Sequence, residues 1–441
     1  MVEAISEDTE YVYVNPSGSP DELFVRGRVA VLLGAGASVD AGIPSSYKMT
    51  EEILERLPRG FGNTRWALNF VCAAMLAHLT ARGGELHEGL DVEKVFAAVE
   101  LLAERHAHEA APFVLSWHPA VDQIDLPPKP VFFQNDLQRI FDGHRNAITR
   151  GLRINGNSII ASAGGHDNSG RALGQALETF VKAHSGVGNG AVYRQLKEQM
   201  ISALNDLLHI SSPSKVAYLA PILNVLNHQE RVLVGTLNYD RSVEILCGDK
   251  TVPCATGIDQ WSRERSFTAP STGVQLLKLH GSIDWAKSSP HPALGMLRKE
   301  EISLVEGGAH NPDPAIVFGQ REKLRAVGPF LDLLSAWEKG LESADSLIVV
   351  GYSFRDSHIN ETIRRWSNSD VSHRLFVVDP FWGDPGPEGG FRSELSDGLA
   401  PRYPIQPGVP LPPPRFRVVT APAGAGLDTL LSAPGHRAKS R

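Results

Sequence analysis

Asn238 in GTLNYD and His280 in LKLHGSIDW each stand just past a short apolar run. An amide in such a place can hold a water or a ribose hydroxyl, and an imidazole can move a proton near neutral pH. Gly281, next to the histidine, permits close backbone approach to a ligand. Upstream, GAGASVDAGIP places Gly34 and Gly36 where the backbone can turn sharply and approach a pyrophosphate, whose charge the start of a following helix would favour. Ser38 could cap that helix or touch phosphate. Two more small or polar endings follow, GYSFRDSHIN from Gly351 to Asn360 and VVDP with Asp379. Each motif is weak by itself. A single histidine at a strand end is commonly structural, Asp356, His358 and Asn360 fit ordinary helix capping, and a second G-x-G at Gly424 and Gly426 shows how readily such spacing arises.

These residues need elements to position them. RVAVLL from Arg28 to Leu33 reads as a strand, followed by the glycine loop and a helix over Tyr47 to Leu57. RVLVGT, VQLLKLHG, SLIVVGYS and RLFVVDP are near-continuous apolar runs, the pattern of strands buried on both faces of a parallel sheet. In open α/β sheets ligands bind beyond the carboxyl ends of the strands, where the polar residues stand. The expected fold is therefore α/β, a Rossmann-like doubly wound, mostly parallel sheet with an α-helical insertion. Within the insertion Val92, Val95, Phe96, Val99 and Leu102 share one helical face. Further helices are expected over Leu173 to Val181, Tyr193 to Leu208 and Val216 to Leu226, with loops at Asp122 to Pro130 and Asn155 to Gly170. The Pro- and Gly-crowded stretch Phe381 to Pro414 reads as an irregular surface loop before a last strand, Phe416 to Thr420, and a short helix. The expected organisation is an N-terminal extension at 1–27, a core from 28–59 and 230–441, and the insertion at 60–229, without internal repeats.

With 42% hydrophobic and 21% charged residues, the chain has enough apolar side chains to form packed cores. A formal charge of −7 gives no general basic field for nucleic acid or anionic membrane. Three cysteines, Cys72, Cys247 and Cys254, cannot build a disulfide framework and suit a reducing, cytoplasmic compartment. The polar segment Met1 to Pro20 lacks an apolar core, and no run approaches the roughly 18 apolar residues of a membrane span. No P-loop sequence occurs. A dehydrogenase fingerprint would want glycine where Val39 stands and an acidic residue closing the second strand, whereas Glu51 and Glu52 fall in a helix.

Taken in order, GAGASVDAGIP, TLNYD and LHG resemble the sirtuin superfamily. The fuller forms DVEKVF, LNYD, LHGSIDW and GYSFRDSHIN resemble its sirtuin-like branch from bacterial antiphage defence, over about Arg28 to Pro380. That resemblance implies an NADase, an NAD+ glycohydrolase that releases nicotinamide and ADP-ribose and depletes cellular NAD. It implies that Gly34, Ala35, Gly36 and Ser38 hold the phosphates, that Asn238 positions the attacking water, and that His280 completes the catalytic pair. Asp240 would shape the ribose pocket, and Gly42, Ile43, Pro44, Thr236, Gly351, Tyr352, Ser353 and Asp379 would complete the NAD-binding rim. Deacylating sirtuins carry a zinc on two C-x-x-C pairs, which this chain lacks, so no zinc is expected; His106 and His108, two apart on a helix, point to different faces. The resemblance also implies a homo-oligomer, a regulatory partner such as a HerA-type ATPase and a phage-derived trigger, and the lack of a long apolar run leads to the expectation of no membrane association. Two other readings stay open: a non-catalytic sensor of NAD or ADP-ribose that regulates a partner, and protein deacylation, which the missing zinc cysteines disfavour.

Overall fold

The computed structural model of the protein describes residues 11–13, 25, 27–57, 63–81, 90–105, 190–288, 301–305, 311, 314–316, 328–382, 390–399, 402–404 and 415–432. Its apolar runs become strands β1 (Val29–Leu33), β2 (Arg231–Thr236), β3 (Cys254–Ala255), β4 (Gly273–Lys278), β5 (Gly281–Ser288), β6 (Glu301–Leu304), β7 (Ser346–Val350), β8 (Arg374–Val378) and β9 (Phe416–Val419). Seven of them form one sheet in the order β9-β8-β7-β1-β2-β4-β3. Every neighbouring pair in it is parallel. β1 and β7 are buried along their full length, as continuous apolar runs require. The expected Rossmann-like α/β class is what the chain adopts.

Helices cover both faces of this sheet. On one face Val31, Leu33, Val234, Ile348 and Val378 form a buried cluster with Leu219, Leu246 and Leu427. Leu246 comes from the helix Ser242–Asp249 and Leu427 from Ala423–Leu431. Val234 and Gly235 point to opposite faces, and on Gly235's side the ring of Trp337 from the helix Phe330–Leu341 lies over the strand. From β1 the chain proceeds to β2, β3 and β4 on one side, then crosses to β7, β8 and β9 on the other. The reversal falls between β1 and β7, the kind of switch point beside which open α/β sheets bind their ligands.

The chain divides into two compact units. The first, Met1–Ile43, Ile210–Leu304 and Leu324–Arg441, holds the sheet. The second, Pro44–His209 and Val305–Lys323, is mainly helical among its described residues, in the helices Ser46–Arg56, Asn63–Ala81, Val92–Ala103 and Ala191–Leu207. Within it Asp91 caps the helix Val92–Ala103 by accepting from the Glu93 amide at 2.8 Å, and Val92, Val95, Phe96 and Val99 are buried.

Some local expectations change. Val216 to Leu226 is not one helix but falls in three short helical pieces, the 3-10 helices Pro213–Leu219 and Val225–Asn227 and the α-helical turn Pro221–Asn224, because Pro221 has no N–H to continue a helical ladder. These pieces lie in the first unit, where Leu219, Ile222 and Val225 join the sheet's core. Within Phe381 to Pro414 the helix Phe391–Leu399 forms, anchored where Arg364 pairs with Glu394 at 2.7 Å, and Arg402–Pro404 pairs antiparallel with Tyr11–Tyr13. After His280 the chain enters β5, which runs antiparallel to β6. The expected helix at Leu173 to Val181, the loops at Asp122 to Pro130 and Asn155 to Gly170, and His106 and His108 lie outside the described residues.

Candidate functional site

The glycine loop leaves β1 as a 3-10 helix, Ala35–Ala41, and not as an open turn leading straight into an α-helix. Its glycines are needed first by protein, since the loop packs against the end of β7. The Gly34 amide donates to Val350 O at 2.9 Å and the Gly36 amide to Gly351 O at 2.8 Å. A Cβ on Gly34 would stand 2.6 Å from Gly351 O. Gly351 itself has φ +60°, and a Cβ there would meet the Ala37 nitrogen at 2.3 Å. Ala35 is exposed and Gly36 partly so, which leaves this stretch of backbone open to a ligand. Gly42, at φ +85°, ends the 3-10 helix, and the amide of buried Ile43 donates to Ser38 O at 3.2 Å. Pro44 follows and opens the second unit. Tyr218 donates to Ala37 O at 2.6 Å. Burial, reinforced by the charges of Asp240 and Asp40, raises its phenol, so it remains a neutral donor.

Asn238 is wired to this loop. Its Nδ2 donates to Gly34 O at 2.9 Å and to Ser38 Oγ at 2.8 Å, and Ser38 Oγ donates to Asp240 Oδ2 at 2.6 Å. The direction of the chain is forced at both ends, because a carbonyl and a carboxylate can only accept. Asn238 must therefore turn its Nδ2 inward, which leaves its Oδ1 as the amide's remaining acceptor. Ser38 is buried with its hydroxyl used in both directions, and it caps no helix through its side chain. Asp240 also accepts from the amide of Ser242 at 2.9 Å and from its hydroxyl. The Asp240 carbonyl accepts from Lys278 Nζ, which lies 2.9 Å from Glu244. Thr236, buried, accepts from the Asn238 amide at 3.1 Å.

His280 lies at the same level of the sheet. Thr236 pairs in register with Lys278, so Asn238 and His280 each stand two residues past a matched pair. The histidine is 4% exposed, and its Nε2 lies 3.1 Å from Asp356 Oδ2. Its Nδ1 is buried and has no hydrogen-bond partner among the described residues. Asp356 is the N-cap of the helix Ser357–Ser369, its other oxygen accepting from the amides of His358 at 3.0 Å and Ile359 at 3.4 Å. The Tyr352 hydroxyl donates to Asn360 Oδ1 at 2.9 Å and accepts from the Asp356 amide at 3.1 Å. The Asn360 amide donates to Phe354 O at 2.7 Å, across a turn in which Phe354 has φ +59°.

Hydrogen bonds thus join the ends of β1, β2 and β7, and His280 ties the end of β4 to the helix after β7. Asp379, past β8, is engaged elsewhere: it accepts from the Phe381 amide at 2.8 Å and pairs with Arg392 at 3.2 Å. Ser353 is exposed on the same turn as Tyr352. Three participants were not singled out from sequence: Asp356 as the partner of His280, Ser242 as a donor to Asp240, and Lys278. Alternation in LLKLH was a usable signal for Lys278, since it places the lysine inside a buried strand. Asp356 was legible only as a cap.

Chemically, the rim offers an imidazole with one buried nitrogen unpartnered, a carboxamide of fixed orientation and exposed loop backbone at the switch point of the sheet. Among the described residues no group of three or more His, Cys, Asp or Glu side chains is placed to hold a metal ion. No helix among them is long and apolar enough to cross a membrane. No curated protein matches the chain. The family of SIR2-like domains matches residues 232–388, the stretch that carries Asn238, His280, Asp356 and Asp379. That match is consistent with an NAD-utilising enzyme, and it supports a place for the chain among the sirtuin-like proteins.

Proposed function

We propose that the protein hydrolyses NAD+ at the bond between nicotinamide and ribose, giving nicotinamide and ADP-ribose, and that it serves antiphage defence by depleting NAD. The observation that carries this reading is His280, buried at a strand end with Nδ1 unpartnered, at the level of Asn238. Nicotinamide in NAD+ is a cationic leaving group, and it departs as a neutral molecule with the bonding electron pair. The ribosyl centre becomes oxocarbenium-like and is captured by water, whose proton passes to a base and then to solvent. What the protein must supply is orientation, exclusion of bulk solvent and a placed water. Asn238 Oδ1 holds a ribose hydroxyl or that water, and His280 accepts the proton. The exposed backbone of Ala35 and Gly36 faces the pyrophosphate, with Gly42, Ile43 and Pro44 beyond it. Ser38 and Asp240 act by holding Asn238 rather than by direct contact, while Thr236, Gly351, Tyr352 and Ser353 complete the rim and Asp379, paired with Arg392, stands at the next strand end.

Self-assembly or a HerA-type ATPase partner, released by a phage-derived trigger in the cytoplasm, belongs to the same proposal. Product analysis tests the chemistry. With NAD+ alone in 18O-labelled water the expected products are nicotinamide and ADP-ribose carrying the label at the ribosyl carbon. Product that forms only when an acylated peptide is present, and appears as acyl-ADP-ribose, would overturn hydrolysis in favour of deacylation.

A further inference from the structure

The hydrolysis reading leaves open which nitrogen of His280 takes the proton, and the surroundings of the ring decide between them. Nε2 faces Asp356 Oδ2 at 3.1 Å, with the two side chains 5% and 6% exposed. An ionised carboxylate only accepts, so the nitrogen facing it carries the hydrogen. The carboxylate cannot turn away to relieve this contact. Its Oδ1 is held by the amides of His358 and Ile359 at the start of a 13-residue helix, and the Tyr352 hydroxyl brackets its backbone. Nδ1, at the other side of the ring, is buried and has no partner among the described residues. With the hydrogen on Nε2, Nδ1 of the neutral ring is a bare lone pair, which can accept from a water or a hydroxyl but cannot donate.

We propose that Asp356 is a positioning residue that holds His280 as the Nε2–H tautomer, so that Nδ1 is the basic nitrogen of the reaction. This rests on the hydrolysis reading for its role in turnover, although not for the tautomer itself. When the attacking water gives its proton to Nδ1, the ring becomes an imidazolium whose Nε2–H already points at the carboxylate. The proton then leaves Nδ1 for solvent, and Asp356 is never protonated. In serine hydrolases the same device has the nitrogens exchanged, and replacing the aspartate by asparagine there costs about 10⁴ in kcat by favouring the wrong tautomer.

Asp356→Asn separates this role from capping, because asparagine caps a helix about as well as aspartate, while its amide can present an N–H to Nε2 and reverse the tautomer. The full chain, labelled with 15N-histidine, is examined by long-range proton–nitrogen correlation at about pH 8, above the ordinary histidine range. His280 is assigned from the signals lost in His280→Gln. The wild type is expected to show Nε2 protonated and Nδ1 bare. Asp356→Asn is expected to move the hydrogen toward Nδ1 and to lower kcat by about 10² or more, with KM for NAD+ and the melting temperature near wild type. A wild-type ring with Nδ1 protonated, whether as the other tautomer or as a fixed cation, overturns the inference. So does an Asp356→Asn protein that has the wild-type tautomer and the wild-type kcat. The wild-type spectrum needs no NAD+, so a chain that releases no nicotinamide yet shows bare Nδ1 defeats the hydrolysis reading and leaves the tautomer assignment intact.

Discussion

At the scale of single residues, Asn238 is held by what surrounds its amide. Ser38 takes one hydrogen from Asn238 Nδ2 and gives its own to Asp240, so both neighbours depend on one hydroxyl. Ser38→Ala leaves Asp240 Oδ2 buried without that donor and leaves the Asn238 amide with Gly34 O as its remaining acceptor. The expected result is a loss of about 1–3 kcal/mol in stability, read by chemical denaturation, together with a fall in nicotinamide release. Wild-type turnover in a destabilised Ser38→Ala protein would mean that the second anchor of the Asn238 amide is immaterial to the reaction. Asp356 gives a second contrast, between its two oxygens. Asp356→Ala removes the cap as well as the histidine partner and is expected to cost about 0.5–2 kcal/mol that Asp356→Asn does not, measured as the difference between their unfolding free energies. Asn238 and His280 could be singled out from sequence because polar residues after buried strands are few and conspicuous. Ser38 and Asp240 could be singled out too, but not as partners of Asn238, because they lie far apart in the chain and meet only through the pairing of β1 with β2.

At the scale of elements, the rim depends on how closely two strand ends approach. Gly351 combines a left-handed backbone with contact against the Ala37 nitrogen, a rigid neighbour that cannot give way as a flexible side chain would. Gly351→Ala is expected to destabilise by about 1–3 kcal/mol and to lower NAD turnover, whereas Gly42→Ala, with nothing within 4 Å of the added Cβ, carries only the backbone strain. Paired thermal melts and turnover rates check this order. On β4, Lys278 is 0% exposed and pairs with Glu244, whose carboxyl is raised by burial against the opposing pull of the lysine. Lys278→Met leaves that largely buried carboxylate, 16% exposed, without its lysine, a loss of up to about 3–5 kcal/mol at neutral pH. The sign follows from the raised folded-state value. The penalty is full above that value and shrinks as pH falls toward the ordinary 4.5, because the folded form takes up the proton first. Denaturation curves at neutral and mildly acid pH should therefore converge on the wild type as pH falls. The buried strands were plain in sequence as continuous apolar runs. The 3-10 form of the glycine loop was not, since it arises from packing against Gly351, whereas the break at Pro221 is readable from the proline itself.

At the scale of the whole molecule, the sheet class could be read from sequence, but the strand order could not. Near-continuous apolar strands say parallel and buried, whereas the edge position of the two-residue β3 and the crossing from β4 to β7 depend on tertiary fit. The second G-x-G illustrates the same limit. The Gly424 amide donates to Asp40 at 2.9 Å and Gly426 packs on Val378, so this pair braces the glycine loop and the sheet. Because the chain has three cysteines and no C-x-x-C pair, hydrolysis is expected to be independent of zinc. Turnover after prolonged treatment with a strong zinc chelator should stay within about a factor of two of the untreated rate, and complete loss that zinc restores would contradict this. The most direct test of the whole is release of nicotinamide and ADP-ribose from NAD+ by the purified full chain, measured beside His280→Ala and Asn238→Ala. Equimolar release of both products by the wild type, reduced about 10² or more in each variant, is expected. Tight NAD+ binding with no product over long incubation, or variants that keep the wild-type rate, would contradict it.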